Sequence, residues 1–253
     1  MKRDGIIIVL IAAVFAAGVF LAVLAPDGLS LVFVLFMLAL VTAGILAGHR
    51  TWLRYTRAFD KADANIEGAL GVASEDPWLV VRENRELFGM SALDGRFQQF
   101  VTRRGSGRGD GKAAHFCDLR TYITDRFLMI SAHEQVLAQI PGTLTGLGIL
   151  GTFLGLLLGL QKLGFSSATS TVESIQTLLG GVRLAFYTSI AGIILSILFN
   201  LLIGAVKNRM LIAKEQFFQD FYHYILPDPD EEMRNQEVEF EEKILRALDG
   251  TRN

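Results

Sequence analysis

Hydroxyl side chains set inside uncharged apolar sequence are the groups in this chain whose type and spacing could do chemistry. Thr152 stands in residues 141–161, PGTLTGLGILGTFLGLLLGLQ, which hold no charged residue; Thr188 and Ser189 stand in residues 175–205, charged only at Arg183. The second segment also carries Tyr187, Ser196 and Asn200. In hydrocarbon such groups back-bond to their own helix, join helices together, or line a path for water or ions. The first two roles are the ordinary ones for an isolated Ser or Thr. Thr152 and Ser189 invite the third, because they are expected at similar depths on two glycine-bearing helices, and Thr152 shares a face with Gly148 and Gly155. A hydroxyl can hand on a hydrogen bond but does not titrate near neutral pH. No Asp, Glu, Lys or His lies in any span core, so a proton carried along these hydroxyls needs a titrating group from another chain.

The other candidates are weaker. Glu83 and Glu86, in Arg82-Glu83-Asn84-Arg85-Glu86, are spaced to lie one helical turn apart, as a calcium site would require, but the interleaved arginines favour a surface salt-bridge face. Glu231, Glu232, Glu239, Glu241 and Glu242 read as a solvated acidic face. No C-x-x-C, H-E-x-x-H, P-loop or G-x-S-x-G pattern occurs, so no enzyme and no cofactor is expected. A net charge of −2 gives no general footprint for nucleic acid. The single cysteine, Cys117, cannot form an intrachain disulfide, and the topology below puts it on the reducing side.

The elements that must position the hydroxyls are membrane helices. With 51% hydrophobic residues and a mean hydropathy of +0.39, the chain gathers its apolar residues into blocks between charged segments. Residues 5–25 and 29–48 are each about one bilayer thickness long and are joined by the turn Pro26-Asp27-Gly28, so they are expected to be antiparallel neighbours facing lipid. The first run is too long for a signal-peptide core and ends in a poor cleavage site, and is read as a span. His49, Arg50, Arg54, Arg57 and Lys61 follow the second span, and Lys207, Arg209 and Lys214 follow the fourth. The positive-inside rule then puts both termini in the cytoplasm.

The expected architecture is therefore an all-α membrane protein with four transmembrane helices. It divides into a hairpin (1–48), a cytoplasmic helical insertion (49–135), a core of spans three and four (136–206) and a cytoplasmic tail (207–253). The apolar spacing of Leu119, Ile123, Phe127, Ile130 and Leu137 predicts one long helix from Phe116 into the third span. The fourth span is predicted to continue as far as Leu226, where Pro227 stops it, and an amphipathic helix is expected over 231–248. Arg103 to Gly109 reads as a solvated basic loop, and the Ser/Thr run up to Ser174 as a short outer loop. Gly151, Gly155 and Gly159, four apart, make a smooth strip on which another backbone can rest.

Spans three and four resemble the MotA/TolQ/ExbB family of ion-driven motor and channel subunits. The family's proline followed by Gly-Leu-Leu-Gly-Thr-x-x-Gly looks like Pro141 and then Gly148-Ile149-Leu150-Gly151-Thr152-Phe153-Leu154-Gly155. Its hydroxyl residue three before a glycine, with an asparagine near the inner end, looks like Ser189, Gly192 and Asn200. Within the family, the run from Ala185 to Gly192 and Phe199-Asn200 are most similar to the ZorA branch of the Zorya anti-phage systems. Two departures stand out: Leu184 follows Arg183 where ExbB- and TolQ-like members often carry a glutamate, and the long helical tail of ZorA-type proteins has no counterpart here, as in a short-tailed or truncated form.

The resemblance implies a pentamer, in a bacterial inner membrane, around a dimer of a single-span partner. That partner has a transmembrane Asp and a cell-wall-binding domain. Thr152, Ser189 and Thr188 would line the path of H+ or Na+, and Gly148, Gly151, Gly155, Gly192, Pro141 and Asn200 would pack around the partner. Rotation would signal to a cytoplasmic effector, with no direct contact to nucleic acid. The competing expectation is a passive scaffold or sensor whose glycine helices only pack.

Overall fold

A computed structural model describes residues 2–71, 76–106, 117–131, 134–161 and 168–227, with 234, 238 and 244. Every regular element among them is helical. Helix α1 is Lys2–Leu24, α2 Gly28–Leu70, α3 Pro77–Glu83, α4 Ser91–Ser106, α5 Asp125–Ser131, α6 Glu134–Gln161 and α7 Ala168–Asp220. A 3₁₀ turn at Leu119–Thr121 precedes α5, and a π turn at Phe221–Ile225 follows α7. Four helical stretches are long and apolar enough to cross a membrane, Gly5–Leu24, Gly28–Leu70, Leu119–Gln161 and Ser174–Ile225, and each overlaps one of the four runs expected. The protein is an all-α membrane protein.

The chain forms two compact units. One comprises residues 1–53 and 129–209, the other 54–128 and 210–253; α2 and α7 contribute to both. In the first unit α1 and α2 form an antiparallel hairpin, where Gly18 admits the Leu38 side chain. Each buries one side, α1 through Ile7, Val14 and Leu21, α2 through Val34, Met37, Val41 and Ile45. Gly44 and Gly48 of α2 let Ile140 and Phe199, then Leu137 and Ile203, come close, so the hairpin docks on α6 and α7. Ile6, Ile8, Val9 and Phe20 remain exposed, as lipid-facing positions require.

The second unit is built around aromatic rings. Phe88 lies 5.7 Å from Phe59 and 4.9 Å from Phe217, and Phe221 lies 6.3 Å from Phe97 and 6.2 Å from Phe100, centroid to centroid. The buried Asp94 carboxylate accepts the backbone N–H groups of Phe88 (2.8 Å) and Met90 (2.9 Å), folding the turn between α3 and α4 back onto the start of α4. Tyr222 ties the 3₁₀ turn to the end of α7: its hydroxyl donates to Asp118 Oδ1 (2.6 Å) and accepts from the Leu119 N–H (2.7 Å). Burial and the Asp118 carboxylate push that phenol well above its ordinary range.

Several expectations are corrected. The helical run expected from Phe116 starts later, at Asp125, because Asp118 caps the Arg120 N–H (2.8 Å) in a 3₁₀ turn and Thr124 receives the Phe127 N–H (3.2 Å) at the start of α5; residues 132 and 133, between α5 and α6, lie outside the described residues. Within α5 the buried residue is Leu128, while Ile130 is exposed. The helix that carries the second span runs on past Gly48 as far as Leu70. Arg103 to Ser106 are the last turn of α4 rather than loop, and the Ser/Thr run from Ala168 is already α7. The fourth helical run reaches Leu226 as expected. The amphipathic helix expected over 231–248 lies outside the described residues.

Candidate functional site

The seam between α6 and α7 is glycine on backbone. A Cβ placed on Gly148 would lie 3.2 Å from Ser189 Cα, on Gly151 2.6 Å from Thr188 Cβ, and on Gly155 2.6 Å from the Gly181 carbonyl and 2.8 Å from the Ala185 nitrogen. From α7, a Cβ on Gly192 would lie 2.6 Å from the Leu144 carbonyl, and one on Gly181 2.8 Å from Gly159 Cα. The two helices therefore run antiparallel with their main chains in contact over four turns. Spacing alone exposes the α6 half of this strip; Gly181, its counterpart on α7, takes its role from the register of the two helices.

The hydroxyls occupy one flank of the seam. Thr152 donates to the Gly148 carbonyl of its own helix (3.0 Å) and reaches the Ala185 carbonyl of α7 (3.4 Å). Ser196 donates across to the Pro141 carbonyl (2.9 Å), which also accepts from Thr145 (3.1 Å). Ser189, Ser196 and Asn200 follow one another at helical spacing along α7, while Pro141, Thr145 and Thr152 do so along α6. The two cross-helix bonds put both rows on the same side. Thr145, Thr152, Ser189 and Ser196 are half-buried and Asn200 is exposed, so a polar groove runs along the paired helices.

Tyr187 occupies the opposite flank and donates to the Leu21 carbonyl near the end of α1, where helical carbonyls lack a partner. Thr188 differs from its neighbour: it is fully buried against Gly151, and its hydroxyl donates to the Leu184 (3.0 Å) and Ala185 (3.1 Å) carbonyls. Its position is in the seam between the helices, not in the groove.

Pro141 sits within α6 without ending it. The missing N–H at Pro141 leaves one carbonyl of the preceding turn unserved, and the bonds from Thr145 and Ser196 fasten the chain there. Glu83 and Glu86 do not share a helical face, because α3 ends at Glu83 and Asn84 is extended; both are exposed. No cluster of three or more His, Cys, Asp or Glu side chains comes together among the described residues.

Fold and site together define a class: a multi-span helical membrane protein with a hydroxyl-lined groove along a glycine-packed helix pair. Residues 104–217, which contain that pair, match the family described as anti-phage protein ZorA of the Zorya type I system. The chain is 43% identical over 68 residues to the Zorya protein ZorA of Escherichia coli strain ATCC 8739, and 39% identical over 69 residues to that of E. coli O139:H28. Each match covers 27% of this chain, but only 12% and 10% of those relatives' own length. Over this core the chain is ZorA-like.

Proposed function

We propose that this chain is the channel-forming subunit of a membrane motor that uses the proton motive force in anti-phage defence. A pentamer of it would surround a dimer of a single-span partner, in a bacterial inner membrane with both termini cytoplasmic. The partner's carboxylate would carry the ion past Thr152 and Ser189, and rotation would be passed to a cytoplasmic effector. The observation that carries this reading is the gathering of Thr145, Thr152, Ser189 and Ser196 on one flank of two helices whose membrane segments contain no charged residue from Val136 to Gln161 or from Leu184 to Val206. A polar groove in hydrocarbon needs an occupant, and without a titratable group of its own it suits a carboxylate brought by another chain.

The test is reconstitution with the single-span protein encoded beside it, reading proton flux in vesicles and assembly by native mass. Thr152→Val and Ser189→Ala are expected to assemble normally and to cut flux at least about tenfold, the loss of about 1.4 kcal/mol of ion stabilisation. Variants that assemble and conduct like the wild type would sink the reading. Scaffolding is favoured by one observation, that the Thr152 and Ser196 hydroxyls are already bonded to backbone carbonyls. It predicts instead that the same variants weaken assembly.

A further inference from the structure

Asp63 lies outside the groove and outside the membrane helices, fifteen residues past Gly48 on the water-side extension of α2. That is about 22 Å along the helix axis. It is half-buried, on the face of that extension that carries the buried Phe59, Ala62 and Ile66, in the unit whose core also holds Phe217 and Phe221. Its Oδ1 is fully enclosed and has no hydrogen-bond partner among the described residues.

Among the described residues, the charged groups acting on it are anionic. Asp220, the last residue of α7, acts from the facing helix, and Asp60 and Glu67 from α2 itself. The neighbouring cation turns elsewhere, since Lys61 extends to the position beside Gly89. Asn65 is engaged with the Leu87 carbonyl (2.7 Å). His223, one turn past Asp220, is exposed and set edge-on to Tyr224 at 4.5 Å. An ionised carboxylate whose oxygen is enclosed, unbonded and surrounded by like charge is costly, and the cheapest relief is to hold a proton.

We propose that Asp63 is a proton-binding site of the second unit, holding a proton in the seam between α2 and the end of α7, so that this packing tightens or loosens with the pH around it. Burial first, and then Asp220, Asp60 and Glu67, push its carboxyl up to about 7, against about 3.9 for a free aspartate. A raised carboxyl stabilises the fold fully below about pH 4, and that stabilisation is lost progressively as the pH rises to about 7. The window closes near neutrality, where a small alkalinisation discharges the proton. The proposal is independent of the ion-path reading, because it involves no membrane residue and no partner.

The experiment is thermal unfolding of the full chain in detergent from pH 5 to 8.5, with Asp63→Asn and Asp220→Asn beside the wild type. Asp63→Asn is expected to raise the apparent Tm by roughly 2–4 °C at pH 8.5, with the gain shrinking towards pH 5. Asp220→Asn removes the anion on the facing helix, and is expected to flatten the wild-type slope in part. Parallel curves for Asp63→Asn and wild type across this range would overturn the proposal. If Asp63→Asn does not fold, the Asp220→Asn slope decides: an unchanged slope overturns the proposal and a flatter one supports it.

Discussion

One methyl group separates two fates for the glycines of α6. At Gly155 a Cβ meets backbone, the Gly181 carbonyl at 2.6 Å and the Ala185 nitrogen at 2.8 Å, and neither can yield without parting the helices. At Gly146 nothing lies within 4 Å. Gly155→Ala is therefore expected to destabilise the chain by about 1–3 kcal/mol through overpacking. Gly146→Ala is expected to be neutral, or stabilising by up to about 1 kcal/mol, because it only removes backbone freedom. Unfolding of the two purified variants in detergent tests the pair, and equal losses would show that the glycines serve something other than close approach. The same residue-level view separates Thr188, enclosed in the seam, from Ser189, half-exposed beside the groove, although the two are adjacent.

Elements are held at their ends by single polar groups. The turn leading into α4 depends on one carboxylate, Asp94, which takes two backbone N–H groups in a buried site. Asp94→Ala leaves both without a partner, and is expected to cost about 2–4 kcal/mol, seen as a lower denaturant midpoint; Asp94→Asn keeps one acceptor and should lose less. In α6 the proline is bridged by hydroxyls from two helices, so the position where the helix is weakest is also where it is tied to α7. Lys207 of α7 pairs with Glu134 at the start of α6, adding a carboxylate to the first turn of that helix.

At the scale of the whole molecule, the first unit carries the membrane helices and the groove, and the second an aromatic core beside which Asp63 stands half-buried, with one oxygen enclosed. The proposed motor has its titrating group on another polypeptide. Vesicles containing this chain alone are therefore expected to show no proton flux above lipid background, and flux should appear only when the single-span companion is co-reconstituted. A pH-sensitive dye inside the vesicles reads the difference; conduction by the lone chain would mean that the groove carries ions unaided. The pH dependence proposed for Asp63 would persist in both preparations, since it belongs to the other unit.

Most of the membrane architecture could be read from the amino-acid order, because the signals are local. Bilayer thickness sets the length of an uncharged run, and the four-residue recurrence of Gly151, Gly155 and Gly159 marks a face without needing a partner in view. Thr152 and Ser189 were legible for the same reason, as hydroxyls in otherwise apolar runs. Thr145, Ser196 and Gly181 gained their meaning only from the register of α6 against α7, which depends on contacts between residues far apart in the chain. The apolar spacing after Leu119 places the helix start too early, because side-chain caps at Asp118 and Thr124 and the distant Tyr222 hydroxyl outweigh the helical period there. Nothing in the amino-acid order separates Asp63 from the neighbouring Asp60 and Glu67. Its enclosure beside Asp220 comes from how two helices meet more than 150 residues apart, and local periodicity carries no record of such a meeting.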